Sequence, residues 1–355
     1  MTATISRPAM RFWSYLLQRL GFVIPILLGV TVIVFVISHV IPGDPAQVIA
    51  GMYANAEQVQ RLREEFGLDR PLWEQYWISV RKMVLQGDLG TSLYTKRPVL
   101  SDLITYFPAT VELTTFAMLL AVAVGVPLGV VAAWRTNQAA DHLTRFGALA
   151  GLSVPAFWLG LVLQIVLGHA WGLLPTRGRV DSVMALDHPI RDLTGVYLFD
   201  TLVTGNWAAF RDVAAHILLP TVVLALGPLG LIARMTRSSL LEVLREEYIT
   251  TARGAGLPER RVIYRHALRN ALIPTVTVIG SMYGFLLGGS FVVESVFDWP
   301  GVGLWGANAI LNLDFPAIIG LTLLYSLMRI VSNIAVDLSY YFLDPQIKLA
   351  GKYEG

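Results

Sequence analysis

The sequence predicts an all-α integral membrane protein with six transmembrane helices and both termini in the cytoplasm. Three observations carry this. Of the 355 residues, 55% are hydrophobic and only 15% are charged, at a mean hydropathy of +0.59. No soluble domain is that apolar, so the surplus must face lipid. Second, six apolar segments reach the roughly 20 helical residues that cross a hydrocarbon core. They run about Leu17 to Val40, Pro108 to Trp134, Phe146 to Ala170, Ala214 to Ala233, Ala271 to Phe291 and Pro316 to Val336. Third, the basic residues between them are unevenly placed. Eight arginines fall between Arg234 and Arg269, three lie ahead of or at the start of the first segment, two lie in 135–145, and Lys348 and Lys352 sit in the tail. The connection 292–315 has no Lys or Arg. Short cytoplasmic loops carry the positive excess, so the basic stretches lie inside. The connection 41–107 carries seven basic residues but is too long for that rule, and the four in 171–213 run mildly against it.

Taken in order, residues 1–40 form the N-terminal tail and first helix. Arg7, Arg11 and Arg19 lie ahead of it or at its start as in a signal peptide, but the apolar run is too long for one and no A-x-A site follows. Residues 41–107 form an ordered helical extracytoplasmic insertion. Asn55 with Gln58 makes a capping box opening a helix that ends near Phe66, with Gly67 as its stop. Pro71 opens a second helix running to Gln86 before Gly87. Its Trp73, Trp77, Val80 and Val84 recur at helical spacing. That face is expected to pack inside the chain, ahead of a partner contact or a place at the headgroup level.

Residues 108–341 hold the other five helices with a cytoplasmic loop at 236–270, and 342–355 form a cytoplasmic tail. Pro127, Pro155, Pro220 and Pro228 are expected to bend spans two, three and four. Gly280, Gly284 and Gly288 fall four apart on one face of the fifth span, and Gly147 and Gly151 repeat the pattern in the third. Such faces permit close helix approach and mark packing interfaces or a pathway lining.

Several chemistries are absent. The four lysines, Lys82, Lys96, Lys348 and Lys352, belong to no P-loop, so the chain binds no nucleotide through one. Zero cysteines exclude disulfides and thiolate sites. The six histidines are scattered without ligand spacing, neither H-E-x-x-H nor G-x-S-x-G occurs, and no basic stripe with interleaved aromatics suggests nucleic acid. No catalytic, cofactor or metal residue is assigned. Within the spans, ionisable residues are functional candidates by default. Glu112 lies one turn into the second span, at the outer interface. Arg329 lies two-thirds through the sixth, with Asp337 eight residues on; Arg329 is expected to snorkel or pair at the inner interface, with a watery pathway as the alternative.

The most informative stretch is 246–274, EEYITTARGAGLPERRVIYRHALRNALIP. Arg245 to Arg253 should form a short helix along the membrane surface, with Gly256 as the break and Leu257 and Pro258 opening the next helix. Arg260, Arg261, Arg265 and Arg269 of that helix then meet the anionic inner leaflet. A chain that only reverses direction needs no such element, so the stretch reads as a docking surface for a cytosolic partner.

This stretch resembles the cytoplasmic "EAA" loop of ATP-binding-cassette importer permeases. Aligned on Gly256, only Ala252, Gly256 and Leu268 match the general pattern, but the TARGAGL and RHALRNALIP segments resemble the dipeptide/oligopeptide/nickel branch. IPGDPA (Ile41 to Ala46), LREEFGLDRPLWEQY, GDLGTSL (Gly87 to Leu93), FPATVEL (Phe107 to Leu113), VPLGVVAAW, VVESVFDWPGVG (Val292 to Gly303) and LDPQI (Leu343 to Ile347) extend the likeness in family order over nearly the whole chain. The long insertion resembles that of the B-type subunit of the permease pair.

The resemblance implies a type I importer transmembrane subunit in a bacterial or archaeal plasma membrane, surrounded by lipid and supplying half of a pathway for short peptides. It implies a paralogous C-type permease, two cytosolic ATPase subunits that bind the ATP and Mg, and an extracytoplasmic substrate-binding protein. Glu247, Tyr248, Thr250, Thr251, Ala252, Arg253, Gly256 and Leu257 would dock the ATPase. Gly280, Gly284, Gly288, Glu112, Glu294 and Arg329 would serve packing or the pathway. Nickel or another metal chelate, haem and glutathione stand as alternative cargoes. An ion-coupled carrier is the rival of another class, and it lacks mid-membrane carboxylates.

Overall fold

The computed structural model describes residues 21, 23–36, 55–65 and 69–343. The N-terminal arginines, IPGDPA, the helix stop expected at Phe66 and Gly67, and the tail from Asp344 lie outside the described residues. The elements in chain order are α1 (Val23–Val36), α2 (Ala56–Glu65), α3 (Leu72–Gln86), α4 (Val99–Trp134), α5 (Ala139–Ser153) and α6 (Ala156–Leu163), which a π turn extends over Gln164–Ala170. There follow α7 (Ser182–Asp187), α8 (Tyr197–Thr204), α9 (Trp207–Val243), α10 (Glu247–Gly254) and α11 (Glu259–Gly289), with a π turn at Val262–Ala267. The last are α12 (Phe291–Phe297), α13 (Val302–Leu311) and α14 (Phe315–Leu343).

Among the described residues, α4, α9, α11 and the Phe315–Val336 part of α14 are long and apolar enough to cross a membrane. The pair α5 and Ala156–Ala170 makes a fifth candidate, bent by 98°. The expected third span, Phe146 to Ala170, is therefore corrected: it is two helices, and the first begins at Ala139. The cause is Pro155. Its ring disfavours helical backbone in the preceding residue, and Val154 is extended at φ −81°, ψ 122°. The helices also outrun their apolar segments. α4 starts at Val99, α9 runs from Trp207 to Val243 and α11 starts at Glu259. Hydropathy measures only what lipid demands, whereas backbone bonding carries a helix on through polar turns.

The chain divides into two compact units, residues 1–107 with 305–327, and 108–304 with 328–355. In the first, Asn55 and Gln58 bond reciprocally, each side chain to the other's backbone N–H, at 3.1 and 2.8 Å. α3 ends where Gly87 turns left-handed at φ 63° and its N–H returns to the helix carbonyls. The apolar stripe of α3 corrects the expected internal packing: Val80 is buried, but Trp73, Trp77 and Val84 are 66%, 58% and 72% exposed. Its neighbour Tyr76 makes the contact with α1, stacking edge-on against Phe35 and bonding Thr31 at 3.0 Å. GDLGTSL folds as a tight turn, with buried Asp314 accepting from Ser92 Oγ at 2.5 Å and from the Tyr94 N–H at 3.1 Å.

In the second unit α9 is the hub, packing against α5, α6, α8, α11 and α12. Close approach rests on glycines. A Cβ on Gly129 would lie 2.6 Å from the Ala233 carbonyl, and one on Gly230 would lie 2.7 Å from that of Ala148. One apolar core runs through Leu113, Ala117, Val213, Ile217, Leu224, Phe297 and Trp299. A second, through Val130, Leu240, Ile249, Ile263 and Ala271, lies under α10.

Candidate functional site

The polar stretch between α9 and α11 folds as a helix, a break and a helix. α10 presents Ile249, fully buried, and half-buried Ala252 to the second core. Gly256 makes the break at φ +76°, a left-handed conformation that costs glycine little and other residues about 1–2 kcal/mol. Its N–H donates to Arg253 O at 2.9 Å, and that of Leu257 to Ala252 O at 3.4 Å. Pro258 then caps α11.

Arg253 staples the elbow. Its Nη2 and Nε reach Glu259 at 2.7 and 3.1 Å, and its Nη1 reaches Leu244 O at 3.4 Å. Hydrogen bonding to Glu259 raises the guanidinium pKa further above its ordinary value. Tyr248 is exposed, and its hydroxyl accepts from Asn270 Nδ2 at 2.9 Å.

The residues expected to dock a partner thus divide. Glu247, Tyr248, Thr250 and Thr251 are exposed. Ala252 and Leu257 turn toward the chain's own core, while Arg253 is exposed and engaged within the elbow. α10 lies close to its own chain because Ile249 and Ala252, three residues apart, share one helical face.

A second constellation is buried. Glu112 accepts from Arg179 Nε at 2.8 Å and Nη2 at 2.5 Å, and from the Leu198 N–H at 2.7 Å. Arg179 also donates to Gly195 O at 2.5 Å, and its guanidinium lies 3.7 Å over the Tyr197 ring. Asp200 gathers the N–H groups of Leu193, Thr194 and Gly195. The 171–213 connection is therefore a folded element pinned to α4 from inside. Arg179 escaped the sequence reading because its partner lies 67 residues away and nothing local distinguishes it from Arg177.

Glu294 takes the same role lower in the chain order. Its carboxylate accepts from Thr110 Oγ1 at 2.8 Å, Ser290 Oγ at 2.7 Å, and the N–H groups of Gly303 and Leu304 at 2.8 and 3.0 Å. Burial pushes its pKa up and these four donors oppose that rise. Glycine is needed around it, since a Cβ on Gly303 would lie 2.6 Å from Phe291 Cα.

Gly280 and Gly284 lie against α14. A Cβ on Gly280 would lie 2.0 Å from Val336 Cγ2, and one on Gly284 would lie 2.8 Å from Ser332 Cβ. Gly288 is half-buried. Arg329 sits in the same seam and donates to Ser281 O at 2.8 Å. In the third segment the pattern holds by half: Gly151 approaches Leu226 O, but nothing lies within 4 Å of a Cβ on Gly147. The sequence reading passed over Gly125 and Gly129 of α4, four apart, which meet Ile232 and Thr236 of α9.

Long apolar helices with buried polar ties, joined by an ordered polar elbow, define a multi-pass membrane protein. Two family models match it, "binding-protein-dependent transport system inner membrane component" over residues 125–349 and the N-terminal membrane component of such systems over 12–114. The chain belongs to this family of multi-pass inner-membrane permeases of ABC importers.

Its relatives include a probable D,D-dipeptide transport permease of Escherichia coli K12, 46% identical over 96% of this chain and 99% of that one. A dipeptide transport permease of Alkalihalophilus pseudofirmus is 43% identical over 94% and 99%. A glutathione transport permease of Salmonella paratyphi A is 39% identical over 94% and 99%. As a component of such a transport system, the chain works with other subunits.

Proposed function

We propose that this chain is the B-type permease of an ATP-driven importer of short peptides, contributing half of the pathway without catalysing hydrolysis itself. The observation that carries the reading is the ordered elbow. Glu247, Tyr248, Thr250 and Thr251 form an exposed strip on a short helix that Arg253 ties to the end of α9 and the start of α11. A helix so held fits a groove on a partner and moves with it as a rigid body. The partner in this reading is a cytosolic ATPase subunit, which holds the ATP and Mg. A C-type permease completes the pathway and an extracytoplasmic binding protein delivers cargo. The topology is six spans with both termini inside, α1 lying within the first.

Dipeptide cargo is supported by the names of the relatives at 43–46% identity. Glutathione, itself a tripeptide, is the second reading, supported by the relative at 39%. Deleting the gene and supplying dipeptides as the sole source of a required amino acid tests the assignment. Growth should fail and return with the intact gene. Unimpaired dipeptide use with lost glutathione uptake selects the second reading.

A further inference from the structure

The cleft between α5 and α9 has no part in the function proposed above. It encloses about 380 Å³ between Thr144, Arg145, Leu149 and Leu152 on one side and Arg234, Arg237 and Ser238 on the other. Small-molecule sites span about 300–1,000 Å³. Its charges do not balance. Arg237 holds buried Asp141 through Nε and Nη2 at 2.6 and 2.9 Å, and the Asn137 N–H takes a further share of that carboxylate. Arg145 and Arg234 form no ion pair or hydrogen bond among the described residues and are exposed. The Asp141 carboxylate also attracts Arg145, so one negative charge faces the three guanidiniums of Arg145, Arg234 and Arg237 and the cleft keeps a positive surplus.

Their position along the chain narrows what can fill it. Arg145 immediately precedes the apolar run that starts at Phe146, and Arg234 immediately follows the run that ends at Ala233. Both stand where the hydrocarbon zone gives way to the headgroup zone. Away from them the walls are Ala148, Leu149, Leu152 and Ala233, and exposed Leu143 and Phe146 continue the apolar surface of α5. The site is thus amphiphilic, with two guanidiniums at one end and an aliphatic track beside them. Planar guanidiniums match phosphate oxygens in a bidentate way. A zwitterionic headgroup would bring its own cation against two arginines.

We propose that this cleft binds an anionic phospholipid, its phosphodiester between Arg145 and Arg234 and an acyl chain along Leu149 and Leu152. The lipid braces the α5–α9 seam at the level where Gly230 and Ala148 meet. The test uses the permease in its intact complex, in nanodiscs of phosphatidylcholine doped with phosphatidylglycerol. A benzophenone amino acid replaces Leu149, and the mass of its photoadduct is read. Phosphatidylglycerol should dominate the adducts. Arg145→Gln with Arg234→Gln should lower that yield about 25-fold, at about fivefold per arginine removed, while Arg237 keeps the seam intact. Thermal stability of the native complex should rise with phosphatidylglycerol, and the double variant should lose that rise alone. Equal phosphatidylglycerol adducts in the double variant overturn the proposal. So does displacement by inorganic phosphate, which marks a free-anion site, or an adduct with a protein subunit, which marks an interface.

Discussion

Arg179 and Glu112 show how much one residue can hold. Taking two charges out of water is costly, and removing one partner strands the other, at about 3–5 kcal/mol. Arg179→Ala should therefore sharply lower the melting temperature of the purified complex. Replacing both with apolar residues, Arg179→Met with Glu112→Leu, should recover much of that loss. An Arg179→Ala complex that melts like the native one would show the pair to be idle. Glu294 makes the same point without a cation. Its four donors require an acceptor at both oxygens, so Glu294→Gln sets an amide N–H against a donor and should cost about 1–3 kcal/mol.

At the same scale sit the limits of sequence reading. The capping pair Asn55–Gln58 and the stops at Gly87 and Gly256 were legible because each is local chemistry: a side chain reaching three residues, or a φ that suits glycine. Buried pairs between distant residues leave no such mark, so the Glu112–Arg179 tie and the four donors around Glu294 emerge only in three dimensions.

Elements divide by the same logic. Apolar length located the cores of α4, α9, α11 and α14, but not their polar extensions, and Pro155 broke a run that hydropathy reads as continuous. The elbow carries two predictions. Thr250→Asp with Thr251→Asp should leave the permease inserted and folded yet release the ATPases in pull-down from purified complexes. Ala252→Asp should additionally loosen α10 from its core, seen as new protease cleavage near residue 252. If both variants keep the ATPases and full uptake, the docking assignment fails. The glycine seams give a paired contrast: Gly284→Leu should cost assembly or transport because its Cβ alone meets Ser332, whereas a Cβ on exposed Gly147 has nothing within 4 Å, so Gly147→Leu should be tolerated.

Across the whole molecule, the fold class was readable from composition and the family from its motifs, while the order hidden in connections was not. The 171–213 and 292–315 stretches contain helices α7, α8, α12 and α13 rather than plain loops. α2 and α3 are likewise built where a short turn would connect the spans, and α3 leaves Trp73, Trp77 and Val84 uncovered. Deleting residues 55–86 should abolish uptake while the subunits still copurify. Normal transport by that deletion would show the segment to be dispensable.

Arg253 gives the elbow a property of its own. It joins the end of α9 to the start of α11 across the break at Gly256, so part of any load applied to α10 travels through a solvent-accessible ion pair. Dissolved salt screens such pairs within about 8–10 Å at physiological strength and more tightly above it. The joint should therefore slacken as ionic strength rises, and the ATP consumed per molecule imported should climb with it. Arg253→Gln should show the slack stoichiometry already in dilute buffer and respond little to added salt.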